Sequence, residues 1–215
     1  MKKYDTIIFD LDGTLLDTLE DLTASVNHAL GLFSYPRRTQ EEVRRFVGNG
    51  VRVLMRRALP GGEDNPAFER VFAAFREHYA AHCRDHTHPY PQIMELVREL
   101  KERGLRLGIV SNKSDREVKE LNRVCFGGLF PEAVGEREGV RRKPEPDSLL
   151  YAVKSLGSTP ENTLYVGDSE VDVLTAANAG VDCVSVTWGF RSEEQLRSSG
   201  ATQIIHAPGE LTTLL

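Results

Sequence analysis

Short runs rich in isoleucine and valine recur at residues 6–9, 105–110, 163–166, 182–186 and 202–205, each bounded by Gly, Asp, Ser or Asn. Helical patterns separate most of them, such as residues 93–103, ending before Gly104, and residues 115–124, opened by a Ser114-x-x-Glu117 capping box. Consecutive strands joined by helices are parallel, and parallel sheets need both faces covered. The alternation therefore predicts an α/β fold, a doubly wound parallel sheet of Rossmann-like form. A weaker strand pattern lies at residues 133–135.

Residues 17–87 interrupt the alternation with helical patterns and no convincing strand. A first helix is expected from an Asp17-x-x-Glu20 box, with Leu19, Leu22, Val26, Ala29 and Leu30 on one face. A second starts at Thr39-x-x-Glu42 and a third near Gly50. Beyond a Pro- and Gly-rich loop at residues 60–66, Phe68, Val71, Phe72, Phe75 and Tyr79 make a fourth apolar stripe. Four such helices bury their stripes mutually, which predicts an all-α four-helix insert over residues 17–87. The catalytic core then comprises residues 1–16 and 88–215, the extended His88-Pro89-Tyr90-Pro91 marking the return.

With 40% hydrophobic and 27% charged residues, the 215-residue chain has the composition of an ordinary globular protein. It lacks an uncharged window of about 18 residues and a signal-like N-terminus, so a cytoplasmic protein without membrane attachment is expected. Cys83, Cys125 and Cys183 are too scattered for a disulfide framework and read as reduced thiols. The net charge of −5 argues against nucleic acid as a partner. A monomer or a homodimer is compatible with this composition.

The first strand runs out into Asp10-Leu11-Asp12-Gly13-Thr14, whose two carboxylates leave an extended backbone on the same side. The strand at 163–166 runs out into Gly167-Asp168-Ser169-Glu170-Val171-Asp172, where Asp172 falls one helical turn beyond Asp168. Carboxyl ends of parallel strands share one rim, so the four acids can converge there. Such a cluster repels itself unless a hard cation neutralises it, which implies Mg2+. Two further strand ends supply anion ligands: Ser111-Asn112-Lys113, and Lys143 in the proline-stiffened Arg142-Lys143-Pro144-Glu145-Pro146. Taken singly, Ser111 also reads as a helix cap and Lys143 as a solvated charge. A magnesium site beside a phosphate pocket points to phosphoryl transfer.

In its order of D-x-D-G-T, strand-end Ser-Asn, Lys-Pro and G-D-x-x-x-D, the chain resembles the haloacid dehalogenase superfamily from end to end. The helical insert behind the first motif looks like the cap of its first subfamily. Residues Asp10 to Thr18 look like its phosphatase branch, and within that branch the chain is most similar to the phosphoglycolate phosphatases. Phe46-Val47-Gly48-Asn49-Gly50 and Arg56-Arg57-Ala58-Leu59 support this, although pyrophosphatase-like relatives share them. The resemblance implies a Mg2+-dependent hydrolysis of a small phosphorylated metabolite. In it Asp10 is the nucleophile and Asp12 the general acid and base, its backbone carbonyl also a metal ligand. Asp168 completes the protein ligands, and Asp172 is either a direct ligand or the holder of a metal-bound water. Ser111 and the Asn112 N–H bind phosphate, Lys143 neutralises Asp10, and Ser169 is a candidate helper at the metal.

Sister chemistries of the superfamily fit less well. Its dehalogenases lack a carboxylate at the position of Asp12, and its phosphonatases need a cap lysine, whereas residues 18–87 contain none. Its mutases carry a cap histidine ten residues beyond the second acid, where this chain has Leu22. Gly48, Asn49, Gly50 and Arg52 are the expected cap residues for a leaving-group carboxylate, hence 2-phosphoglycolate, with inorganic pyrophosphate or another small phosphate ester as the alternative. The excess of arginine in the insert (Arg37, Arg38, Arg44, Arg45, Arg52, Arg56, Arg57) makes an anionic substrate more plausible. His78, His82 and His86 at i, i+4 and i+8, near Cys83 and His88, read mainly as solvated imidazoles, with a metal site as the alternative.

Overall fold

The computed structural model describes residues 4–215, and these form eight strands: β1 (Thr6–Phe9), β2 (Leu16–Asp17), β3 (His88–Pro89), β4 (Arg106–Ser114), β5 (Glu132–Glu136), β6 (Thr163–Gly167), β7 (Asp182–Val186) and β8 (Ile204–Ile205). Six make one sheet in the order β5-β4-β1-β6-β7-β8, and every pairing in it is parallel. β2 and β3 pair separately as a two-residue ribbon. The chain steps outward from β1 through β4 and β5, then crosses to the other flank of β1 for β6. The topological switch therefore lies between β1 and β6, whose carboxyl ends carry Asp10 and Asp168.

Both faces of the sheet are buried, as its parallel pairing requires. Alternation along β1 sends Ile7 and Phe9 to one side and Ile8 to the other. Ile7 and Phe9 pack with Leu96, Val97 and Leu100 of α5 (Ile93–Glu102) and Val118 and Leu121 of α6 (Asp115–Phe126). Ile8 packs with Tyr165 and with Leu149, Ala152 and Val153 of α7 (Asp147–Ser155), alongside Ala176 of α8 (Glu170–Ala179). A last helix, α9, covers Glu193–Ser198.

The first four helices, α1 (Leu19–Leu32), α2 (Gln40–Phe46), α3 (Val51–Ala58) and α4 (Phe68–His82), all belong to Asp17–His88, a compact unit separate from the one that contains the sheet. The expected α1 and α4 stripes are buried, except that Phe72 is half-buried. Thr39 and Glu42 form the expected reciprocal cap of α2. The Asp17-x-x-Glu20 box does not form: Asp17 belongs to β2, Thr18 takes the N-cap position without a side-chain cap bond, and Asp17 Oδ1 accepts from the Leu19 N–H at 3.2 Å. Among the described residues no helix is long and apolar enough to cross a membrane.

One polar contact in this unit ties α1 to the segment behind α4. Asp21, 2% exposed, accepts from the backbone N–H of His86 at 3.0 Å, the N–H of Thr87 at 2.9 Å and the Thr87 hydroxyl at 2.8 Å. Replacing it by alanine leaves those donors without their acceptor. Asp21→Ala should therefore lower the unfolding free energy by about 2–3 kcal/mol. The check is a lowered urea midpoint at unchanged m in circular dichroism, with a smaller loss in Asp21→Asn.

Candidate active site

The tight loop behind β1 begins where the Asp10 N–H donates to Val166 O at 2.8 Å, tying the loop to β6. Leu15 and Leu16 then turn back by donating to Leu11 O. Gly13, at φ +87°, is necessary here, because a Cβ on it would fall inside the Asp168 carboxylate. Its absence lets the first loop close against the end of β6. Thr14 Oγ1 donates to Asp168 Oδ1 at 3.2 Å, and the Phe190 N–H donates to Asp168 Oδ2 at 2.7 Å.

β4 runs beyond the expected residue 110 to Ser114, with a register irregularity between Val110 and Ser114. Ser114 caps α6, so Ser111 is not a helix cap; its Oγ accepts from the Lys113 N–H at 3.2 Å. The Asn112 amide donates to Lys143 O at 3.0 Å and pins the loop that carries that lysine. Lys143 is not a solvated charge: it is 3% exposed, and its Nζ lies 2.8 Å from Asp10 Oδ1, 2.7 Å from Asp172 Oδ1 and 2.9 Å from the Tyr165 hydroxyl.

Asp10, Asp168 and Asp172 offer carboxylate oxygens within 4.8 Å of one another. Burial, together with the neighbouring Asp172, pushes Asp10 well above the usual carboxylate range. Burial and Asp172 likewise push Asp168 up to about 7, while burial and then the Asp172 charge raise the Tyr165 phenol. Lys143 is held above its ordinary value by Asp10 and Asp172 despite its burial. Three clustered acids against one lysine are a donor set that fits a hard divalent cation. Within the set the oxygens differ. Asp172 accepts four hydrogen bonds, from Lys143 and Tyr165 at Oδ1 and from the Ser169 N–H and hydroxyl at Oδ2. Asp10 Oδ1 takes the Leu11 N–H at 2.7 Å and Lys143, whereas Asp10 Oδ2 has no hydrogen-bond partner among the described residues.

The residues expected from the core motifs thus gather on one rim of the sheet. Three further members had no individual role in the sequence reading: Thr14, Tyr165 and Lys113, whose Nζ reaches Asp12 Oδ1 at 3.0 Å. Each lies inside or beside a motif already singled out, and Tyr165 is conspicuous as a phenol on an otherwise apolar buried strand. In the helical unit, Gly48, Asn49 and Gly50 all take positive φ, at 122°, 61° and 83°, and lead into α3. Arg52 is committed inside that unit, bonded to Glu63 at 2.9 Å and Glu69 at 2.5 Å and lying over the Phe68 ring. α4 stops at His82, so His86 lies beyond the helix, and His82, His86 and His88 are exposed as solvated imidazoles are expected to be. His78 stacks between His82 and His28, and the three clustered acids are the only group of possible metal ligands among the described residues. Among the described residues Cys83, Cys125 and Cys183 form no disulfide.

A family model for haloacid dehalogenase-like hydrolases matches residues 7–186. Phosphoglycolate phosphatase 1 of Pseudomonas aeruginosa is 37% identical over 206 aligned positions, a match that covers 93% of this chain and 75% of that protein. Phosphoglycolate phosphatase of Haemophilus influenzae is 33% identical over 222 aligned positions, a match that covers 99% of each chain. A solved phosphoglycolate phosphatase-like structure from Lactobacillus delbrueckii subsp. bulgaricus superposes with a TM-score of 0.93 at 37% identity, covering 99% of this chain and 98% of its own.

The raised Asp168 carboxyl makes a signed prediction. Its folded-state value of about 7 lies above the ordinary 3.8, so the stability it contributes is complete below about pH 4 and is lost as pH rises through 7. Without divalent cations the melting temperature should therefore fall between pH 5 and pH 8. Mg2+ should raise it more at pH 8 than at pH 5, and Asp168→Asn should lose most of that difference. Thermal melts with chelator or with Mg2+ at the two pH values provide the check; equal Mg2+ gains at both would count against a cation among these acids.

Proposed function

The chain belongs to the haloacid dehalogenase-like hydrolases and is a phosphoric monoester hydrolase, and from that premise we propose that it hydrolyses 2-phosphoglycolate to glycolate and phosphate through an aspartyl phosphate, with Mg2+ as its cation. One observation carries the proposal. Asp10 has one oxygen anchored by Leu11 and Lys143 and the other without a hydrogen-bond partner, in a cluster that also holds two more buried acids.

Asp10, Asp168 and the backbone carbonyl of Asp12 would hold Mg2+, which when bound neutralises the carboxylates and draws charge from the phosphoryl oxygens. Asp172, with both oxygens already bonded, orients Lys143 and Ser169 instead. Asp10 Oδ2 attacks phosphorus in line as the bond to the leaving oxygen breaks. Asp12 gives its proton to the departing alkoxide. It then takes a proton from water, which attacks the same phosphorus, breaks the bond to Asp10 and restores the free carboxylate. Ser111 and the Asn112 N–H bind phosphoryl oxygens, and Lys143 offsets negative charge as it develops there.

The named activity of the curated relatives supports 2-phosphoglycolate. The positive-φ loop Gly48-Asn49-Gly50 remains a candidate for contact with the substrate, whereas Arg52 is a weaker one because two glutamates already neutralise it.

Asp10→Asn should cut kcat by at least about 10^4-fold while leaving the melting temperature near the parent value, because the amide keeps the shape but not the nucleophile. Near-parent turnover in that variant would overturn the mechanism. In a panel of phosphate esters and pyrophosphate, 2-phosphoglycolate should give the highest kcat/KM, and a chelator should abolish turnover reversibly. Pyrophosphate at the head of the panel would overturn the substrate assignment and leave the chemistry standing.

A further inference from the structure

Lys113 sits in the irregular part of β4, two residues past Ser111. Its backbone N–H is fixed on Ser111 Oγ, its side chain is 4% exposed, and its Nζ lies 3.0 Å from Asp12 Oδ1. A buried ammonium is tolerated only where anions surround it, so its position beside the acid that serves the leaving group is a chemical commitment. Lys143 and Arg52, the other two side-chain cations expected at the substrate, are engaged elsewhere: Lys143 on Asp10 and Asp172, Arg52 on Glu63 and Glu69.

The leaving-group oxygen must come within roughly 2.6–3.2 Å of Asp12 to receive its proton. In a 2-phospho acid the carboxylate carbon is only two covalent bonds from that oxygen. The carboxylate of such a substrate therefore falls within a few ångströms of Lys113, the side-chain cation bonded to Asp12. An ammonium carries three N–H donors, so its bond to Asp12 leaves capacity for a second acceptor. We propose that Lys113 is a specificity-determining residue, its ammonium pairing with the leaving group's carboxylate while it holds Asp12. The proposal rests on the 2-phosphoglycolate assignment above and names the residue that selects the acid.

The experiment compares kcat/KM for 2-phosphoglycolate and for ethyl phosphate, which lacks the carboxylate, in the parent, Lys113→Gln and Lys113→Arg. Glutamine keeps an N–H donor for Asp12 and removes the charge; arginine keeps the charge. In Lys113→Gln the preference for 2-phosphoglycolate should fall roughly 10- to 100-fold, mainly through KM, while Lys113→Arg should retain most of it. Equal losses on both esters in Lys113→Gln, a preference that survives there, or a collapse in Lys113→Arg would each overturn the role of Lys113. A parent that shows no preference for 2-phosphoglycolate would overturn the substrate assignment as well, and that result is read on the unaltered protein alone.

Discussion

The buried ammonium of Lys143 is the contact on which the site depends. It touches Asp10, Asp172 and the Tyr165 hydroxyl within 2.7–2.9 Å, and its own backbone carbonyl is pinned by Asn112. Removing the lysine would leave Asp10 and Asp172 as uncompensated charges in the interior, so their arrangement depends on it. One lysine cannot neutralise three clustered carboxylates. Burial and then the remaining negative charge raise Asp10 and Asp168, and the three acids are a donor set that fits a hard cation.

Sheet order decides that these groups meet. Asp10 and Asp168 end neighbouring strands across the topological switch, and the loop behind β1 can close on β6 only because Gly13 has no side chain. The irregular end of β4 re-aims Ser111, Asn112 and Lys113, three consecutive residues, toward three different partners or tasks. The helical unit contrasts with this. Much of its arginine charge is spent internally, with Arg38 on Glu42, Arg44 and Arg45 on Glu41, and Arg52 on Glu63 and Glu69. Counting arginines along the chain therefore overstates the positive field this unit can present.

Periodicity and local chemistry alone determined the parallel α/β architecture, the helical insert, the α2 and α6 caps, and the strand-end location of Asp10 and Asp168. Those features depend on residues close in sequence: alternation along a strand, a stripe on a helix, an acid behind an apolar run. Tertiary structure decided the partners. Lys113 and Asp12 are 101 residues apart, Thr14 and Asp168 154 apart, and both contacts exist only because β4 and β6 flank β1. It also decided that Asp17 continues into a strand, that Arg52 is already paired, and that both Asp172 oxygens accept hydrogen bonds. A side chain's type is local information, but its hydrogen-bond partners are set by which strands lie side by side, and no periodicity along the chain encodes that order.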